Sequence, residues 1–374
     1  MPVYYFIFGW TVFWGCIANM TARHIQIREN IYKQRINILI GIIAFSAVII
    51  FSGLRSGVAD TPVYISQFEG FPVGFSRIGE FLKDSDDPGF VIFSVFIKTY
   101  ISTDYNVWLF IIAAISGISV LIGFYQYSSN FALSCFMFIA SSQFTWMFNG
   151  IRQYMVVCIL FACMSFIYRR KILNYIILVI LLSTVHKTAI VMIPIYFIVY
   201  GEPWNKRTVL IIFIILLCML FASNTLNIFD TIMQQSDYAV GYNEFKKNDD
   251  GVNIFTILIS LVPVLLSFFT KNTIKDKYTP QIKISINMSI IAVCIYIISK
   301  LTHSGILVGR MATYFSIYNF ILLPWLIDNI FEKNERRLIK YVMIVCYIVL
   351  FYYQMEIAWG GYIYISEILN LKYH

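Results

Sequence analysis

Residues 36–64 read INILIGIIAFSAVIIFSGLRSGVADTPVY. From Ile36 to Phe51 the stretch is almost wholly apolar. It then places Arg55 and Asp60 among glycines, just where a buried helix reaches water. A hydrocarbon core is crossed by about 20 mostly apolar residues, so this run reads as a membrane helix with an ionisable outer end. Working outward in both directions, at least ten comparable runs recur. The chain is 59% apolar and only 13% charged, against roughly 25% charged residues in a soluble domain. Such a surface belongs in lipid. The expected fold is an all-α polytopic integral membrane protein of about 11–13 transmembrane or re-entrant helices, a single domain over 1–374. The first segment, MPVYYFIFGWTVFWGCIANM, lacks the basic start and small-residue cleavage site of a signal peptide, and reads as a retained helix.

The net charge is +8, but the basic residues fall in short clusters between spans, so no nucleic-acid partner is expected. The seven cysteines lie inside apolar runs and form no CxxC. They read as buried free thiols without a metal or disulfide role.

Five clusters hold 17 of the 28 lysines and arginines: Arg23/Arg28/Lys33/Arg35, Arg169/Arg170/Lys171, Lys206/Arg207, Lys271/Lys275/Lys277/Lys283 and Lys333/Arg336/Arg337/Lys340. The positive-inside rule puts them in the cytoplasm. Spans near 2–20, 36–53, 152–168, 172–186, 188–200, 208–223, 253–270, 284–300, 310–330 and 340–355 follow. The outer face then receives loops 54–89 and 224–252 and a tail, 356–374. Three apolar runs remain between 90 and 148, one too many for the basic clusters to fall on one side. The run FVIFSVFIKTYI carries Lys98 and reads as a half-span or re-entrant helix.

The ionisable residues outside these clusters converge on the outer side. They are Arg55, Asp60, Arg152, His186, Lys187, Lys300, His303 and Arg310. A charge at bilayer depth costs roughly 2.5–3.5 kcal/mol on insertion scales, so three arginines near one face need a shared reason. Guanidinium groups stay protonated and suit phosphate oxygens. Plainer roles also exist: Arg55 at lipid headgroups, Asp60 as an outer-loop acid or the cap of the helix at TPVY, Arg152 in a purely structural ion pair, His186 as an interfacial histidine, Arg310 paired with Glu356, and Lys187, Lys300 and His303 at the surface. DSDDPG at 84–89 reads as a solvated turn capping the next helix, with Pro88 and Gly89 as punctuation. The loop SDYAVGYNEFKKNDDG and the tail EIAWGGYIYISEIL mix aromatic and polar residues in a way that suits sugar faces.

These residues carry a family resemblance. GLRSGVADTPVYISQF, DDPGF, NGIRQ, VHKTAIVMIP and GRMATYF, in this order between about 36 and 320, resemble the EpsG-like, Wzy-type polymerases of bacterial surface polysaccharides such as O-antigen and capsule. Where that family reads EPGF, this chain has Asp87-Pro88-Gly89-Phe90. The resemblance implies a fold related to GT-C glycosyltransferases in the bacterial cytoplasmic membrane, with its site facing outward. It implies undecaprenyl-diphosphate-linked oligosaccharide as donor and acceptor, in contact with membrane lipid, and admits a chain-length regulator as partner. On this reading Arg152 and Arg310, assisted by Arg55, hold the diphosphate. His186 is the first choice of base and Asp60 the second. Tyr64, Gln153, Tyr238, Tyr242 and Tyr314 contact sugar. No cofactor or metal is expected. A polysaccharide ligase, a glycan acyltransferase and a lipid-linked glycan flippase are the competing readings.

Overall fold

A computed structural model describes residues 2–28, 31–83, 85–206, 208–210, 213, 251–358 and 363–372. The expected helix at 208–223 and outer loop at 224–252 fall mostly outside this set, and with them Tyr238 and Tyr242. Helices make up most of the described chain, with two small hairpins. Contacts divide it into two units, Met1–Ile193 with Ile327–His374, and Pro194–Leu326.

The first unit begins with α1 (Pro2–Met20), the hairpin β1–β2 (Arg23–Arg28, Ile31–Arg35) and α2 (Ile38–Gly53). Then come α3 (Thr61–Gly70), α4 (Ile78–Lys83), α5 (Pro88–Tyr100) and α6 (Tyr105–Tyr127). They are followed by α7 (Phe131–Ala140), α8 (Ile151–Ala162), α9 (Ser165–Tyr168), α10 (Ile172–Val185) and α11 (Met192–Val199), whose last residues enter the second unit. The expected 131–148 span is broken. Ser142 sits at φ 58° and Gly150 at φ 67°, and a 3₁₀ turn, Gln143–Met147, joins them.

The two ends of this unit are distinct. At one end Arg35 donates to Tyr125 (2.9 Å), and the Phe131 amide donates to Gln34 (3.2 Å). There Tyr127 donates to the Ala162 carbonyl (2.8 Å) and its ring meets Tyr168, immediately before Arg169, Arg170 and Lys171. The first two basic clusters therefore share one end. At the other end lie Arg55, the start of α6 and the head of α8. Helix α5 begins beside Arg152, and four residues separate its end from the start of α6. Thirteen residues span only about 20 Å at 1.5 Å each, short of the ~30 Å core.

A buried helix end leaves backbone carbonyls that need partners. Lys98 supplies them. Its ammonium donates to the carbonyls of Phe68 (2.9 Å), Glu69 (2.7 Å) and Phe71 (2.7 Å), which end α3. An apolar cluster of Tyr64, Phe68, Phe90, Trp108, Ile151 and Met155 then fixes α3, α5, α6 and α8 together. Trp108 stacks on Phe68 at 4.7 Å and donates to Ser94 (3.1 Å).

The second unit holds α12 (Ile254–Phe269), the short α13 (Lys271–Ile274), α14 (Pro280–Leu301), α15 (Thr313–Ser316) and most of α16 (Asn319–Ile330). A π-turn, Gly305–Gly309, precedes Arg310. The chain returns to the first unit through α17 (Lys333–Tyr352) and the tail hairpin β3–β4 (Ile365–Ser366, Leu371–Lys372). Five helices among the described residues are long and apolar enough to cross a membrane alone, six with the bent pair Ile254–Phe269 and Lys271–Lys277. Several other expected spans are shorter helices. The thiols of Cys135, Cys158 and Cys294 are buried as expected, but Cys16 and Cys346 lie on exposed helix faces.

Replacing Lys98 by Met leaves three carbonyls without their donor. Each buried unsatisfied group costs about 1–3 kcal/mol. Lys98→Met should lower the unfolding temperature of the detergent-purified protein clearly, and Lys98→Arg should recover part of the loss.

Candidate functional site

Pro88 and Gly89 open α5 and determine what Asp87 can do. Proline at the first helical position lacks an N–H, so one fewer donor needs a cap. Gly89 packs on α10 so closely that a Cβ there would lie 2.1 Å from Thr184 Oγ1 and 2.9 Å from its backbone carbon. The start of α5 is thus held against the end of α10, where His186 sits. Asp87 makes no side-chain cap. Its Oδ2 lies 2.9 Å from Arg152 Nη1 and 3.3 Å from His186 Nδ1, and its Oδ1 accepts from the Lys187 amide at 2.9 Å.

This corrects the reading of 84–89 as a solvated turn. Asp87 is 4% exposed. The physical reason is Arg152, which enters the apolar interior on the first turn of α8 and needs a counter-charge there. The neighbouring Asp86 remains at the surface, paired with Lys187 at 2.7 Å. Burial pushes the Asp87 carboxyl up. The His186 hydrogen bond, the Arg152 charge and the Lys187 amide outweigh it and hold the group below its ordinary value of 3.8. The guanidinium of Arg152 also faces the rings of Tyr64 (5.8 Å) and Phe90 (5.6 Å), a cation–π arrangement.

Asp60 and Arg55 build the adjoining wall. Asp60 makes no side-chain cap to α3 either; its Oδ2 accepts from the Gly150 amide at 3.4 Å, at the turn that launches Arg152. Arg55 is 1% exposed. It donates through Nε to Thr61 Oγ1 (2.7 Å) and through Nη1 to the Ser52 carbonyl, and its guanidinium lies over Phe148. Its Nη2 has no hydrogen-bond partner among the described residues. Burial lowers its pKa to about 10, against the opposing pull of Tyr364, Tyr64, Tyr4 and Asp60, so it remains a cation at neutral pH.

The tail closes over this wall. Tyr364 donates to the Phe51 carbonyl (2.9 Å), Ser366 donates to Leu54, and the Ser56 amide donates to Ile365 (2.8 Å). Tyr364 is fully buried. This part of the tail is a strap on the Arg55 turn and offers no open aromatic face to a sugar. Tyr64, Gln153 and Tyr314 are also buried, at 6%, 6% and 2% exposure. The first two belong to the Arg152 wall, and Tyr314 lies in the second unit with Arg310. Among the described residues no three His, Cys, Asp or Glu side chains are grouped to hold a metal.

The structure thus brings Asp60, Arg152 and His186 to one end of the first unit. It adds Asp87, which the sequence reading missed as a site residue. The signal was present: a deeply placed arginine with no nearby acid on its own helix requires one from elsewhere. The family model for EpsG matches residues 38–363, most of the chain. The chain belongs to the EpsG family. No curated protein and no solved structure matches it. Membership supports a polysaccharide polymerase of the glycosyltransferase type, acting on lipid-linked oligosaccharide, and the apolar helices support a multi-pass membrane protein. The matched region takes in Asp87, Arg152 and His186, and also Arg55 and Arg310.

Removing one partner of a buried ion pair costs about 3–5 kcal/mol. Asp87→Ala should therefore reduce the amount of folded protein recovered from membranes. Gly89→Ala should do likewise by driving α5 off Thr184. The depressed carboxyl pKa fixes the sign of the pH effect: its contribution is complete above the ordinary carboxylate value and is lost as pH falls through the lower folded value. In acid titrations of the folded protein, Asp87→Asn should lose that dependence.

Proposed function

We propose that this polymerase joins undecaprenyl-diphosphate-linked repeat units at the outer face of a bacterial cytoplasmic membrane, without a metal, on a GT-C-like scaffold. The observation that carries the reading is the shared carboxylate: Asp87 holds both a phosphate-seeking guanidinium and an imidazole. Positive-inside bias supports the orientation, because this cluster lies at the end of the unit opposite Arg35 and the Tyr168–Lys171 segment.

In the proposed reaction a hydroxyl of the acceptor glycan attacks the anomeric carbon of the donor. The C–O bond to the lipid diphosphate breaks and its electron pair leaves with the diphosphate. His186 contacts Asp87 through Nδ1, which assigns the proton to that nitrogen and leaves the Nε2 lone pair to receive the hydroxyl proton. Asp87 then faces an imidazolium on one side and Arg152 on the other, so the transferred proton settles beside a negative charge. Arg152 stabilises the charge that develops on the departing diphosphate. Asp60 fixes the turn at Gly150 and thereby the direction of Arg152. Arg55, buried and strapped by the tail, acts as a positioning residue for that turn. Arg310 keeps its assignment as a phosphate ligand from its sequence setting, GRMATYF. The outer loop with Tyr238 and Tyr242 is assigned to sugar contact on its composition, and a chain-length regulator is the expected protein partner.

Purified protein in liposomes with labelled lipid-linked repeat units decides between the readings. Longer lipid-linked glycans mean polymerisation; transfer to a different acceptor means ligation; movement across the bilayer without bond formation means a flippase. Arg152→Lys and Arg310→Ala should abolish chain growth while the protein stays in the membrane. His186→Gln should slow it by about 10²–10⁴, the usual worth of a positioned base. Undiminished chain formation by His186→Gln rules that residue out as the base.

A further inference from the structure

The Asp87 cluster is buried on one side and opens on another. Side-chain exposure rises from 5% at Asp87 through 10% at Arg152 and 21% at His186 to 45% at Lys187. Lys187 therefore stands where a ligand of the cluster meets it first. Its backbone is fixed. The His186 backbone is extended (φ −152°, ψ 112°), and Lys187 opens the 3₁₀ turn Lys187–Val191 with its amide bound to Asp87 Oδ1 at 2.9 Å. Its side chain turns outward, where the ammonium pairs with Asp86 at 2.7 Å.

The charges around the cluster are already matched. Arg152 faces Asp87, Lys187 faces Asp86, and Arg55 has Asp60 nearby. A doubly anionic group gains a full cation here only if one of these leaves its acid. The three differ in what that costs. Opening the Arg152–Asp87 pair strands a charge in the interior, which is expensive. Arg55 is 1% exposed, bound to Thr61 and Ser52 and covered by the tail. The Lys187–Asp86 pair lies at the surface, with Asp86 55% exposed. Such pairs contribute little, and water solvates the acid that is left behind. Lysine also carries its charge on a flexible four-carbon stem, which suits it to change partners.

As a fastener the surface pair is redundant. The segments that it joins are already tied by the Lys187 amide on Asp87, by His186 on the same carboxylate and by the packing of Gly89 on Thr184. The fold keeps its frame when the ammonium moves.

We propose that Lys187 is a phosphate ligand of this site, its ammonium leaving Asp86 for the diphosphate of a lipid-linked donor while Arg152 stays on Asp87. The inference rests on the polymerase reading above and adds the cation that meets the donor at the open side of the cluster. Asp86 competes with the donor for that ammonium, so the two partners of one salt bridge act on binding in opposite directions.

The test uses the full-length detergent-purified protein. Calorimetry measures binding of farnesyl diphosphate, a short lipid diphosphate, in metal-free buffer, and labelled lipid-linked repeat units in liposomes give KM and kcat for glycan extension. Thermal unfolding checks that each variant is folded. Lys187→Gln should weaken farnesyl diphosphate binding and raise the donor KM, each by about tenfold, the scale of one hydrogen bond to a charged group, with kcat changed less. Lys187→Arg should recover most of the loss, and Asp86→Asn should tighten binding and lower KM. A merely structural pair predicts that Lys187→Gln and Asp86→Asn change stability and KM in the same direction, and that result overturns the proposal. So does farnesyl diphosphate binding that is absent in wild type or equal in wild type and Lys187→Gln, even where wild type extends glycans and the polymerase reading stands. Absence of extension by wild type counts against the polymerase reading, and the opposite shifts in farnesyl diphosphate binding still report on Lys187.

Discussion

A carboxylate shared between a guanidinium and an imidazole is the interaction on which the first unit depends. Arg152 points into a wall of Tyr64, Phe90, Ile151 and Met155, where an unpaired cation is expensive. Asp87 makes that position tolerable, and it comes from a different helix, so the pair also fixes α5 against α8. His186 joins from a third helix. A single carboxylate therefore ties three segments, and each of them returns to the same end of the bundle. The close packing of Gly89 on Thr184 follows from this, because the carboxylate reaches both partners only if α5 lies directly on α10.

Much of this was legible in the sequence. Apolar runs and basic clusters give the membrane class, the helix order and, within the first unit, the shared end of Asp60, Arg152 and His186. The conflict of sides around 90–148 pointed to the run containing Lys98, and α5, with 13 residues, is too short to cross a ~30 Å core alone. What could not be read were partners chosen by tertiary packing. Asp87 sits among Asp84, Asp86 and Pro88, a composition that reads as a solvated turn, and only the position of Arg152 on another helix draws it inside. The tail strap was equally hidden: Tyr364 and Ser366 look like outer-surface residues until their bonds to Phe51 and Leu54 are seen. The breaks at Ser142 and His186 depend on local backbone geometry that apolar composition does not encode.

The chemistry follows from burial as much as from residue type. Arg152 can lie in an apolar wall because its counter-ion is beside it, and His186 is oriented because that same counter-ion holds one ring nitrogen. Arg55 differs from Arg152 in this respect. Its contacts are a hydroxyl, a carbonyl and an aromatic ring, and the tail covers it. Two arginines that look alike in sequence thus have different surroundings, one beside a buried carboxylate and one among a hydroxyl, a carbonyl and a ring.

The account makes Asp87 the common element through which the Arg152 helix and His186 act. A double-mutant cycle on the rate of glycan extension by purified protein tests this most directly, with Asp87→Asn, His186→Gln and the combination. The account predicts strong non-additivity, with the double variant little slower than the slower single one, since a base without its orienting carboxylate has already lost most of its effect. Rate losses that simply multiply would show that Asp87 and His186 act independently, and would contradict it.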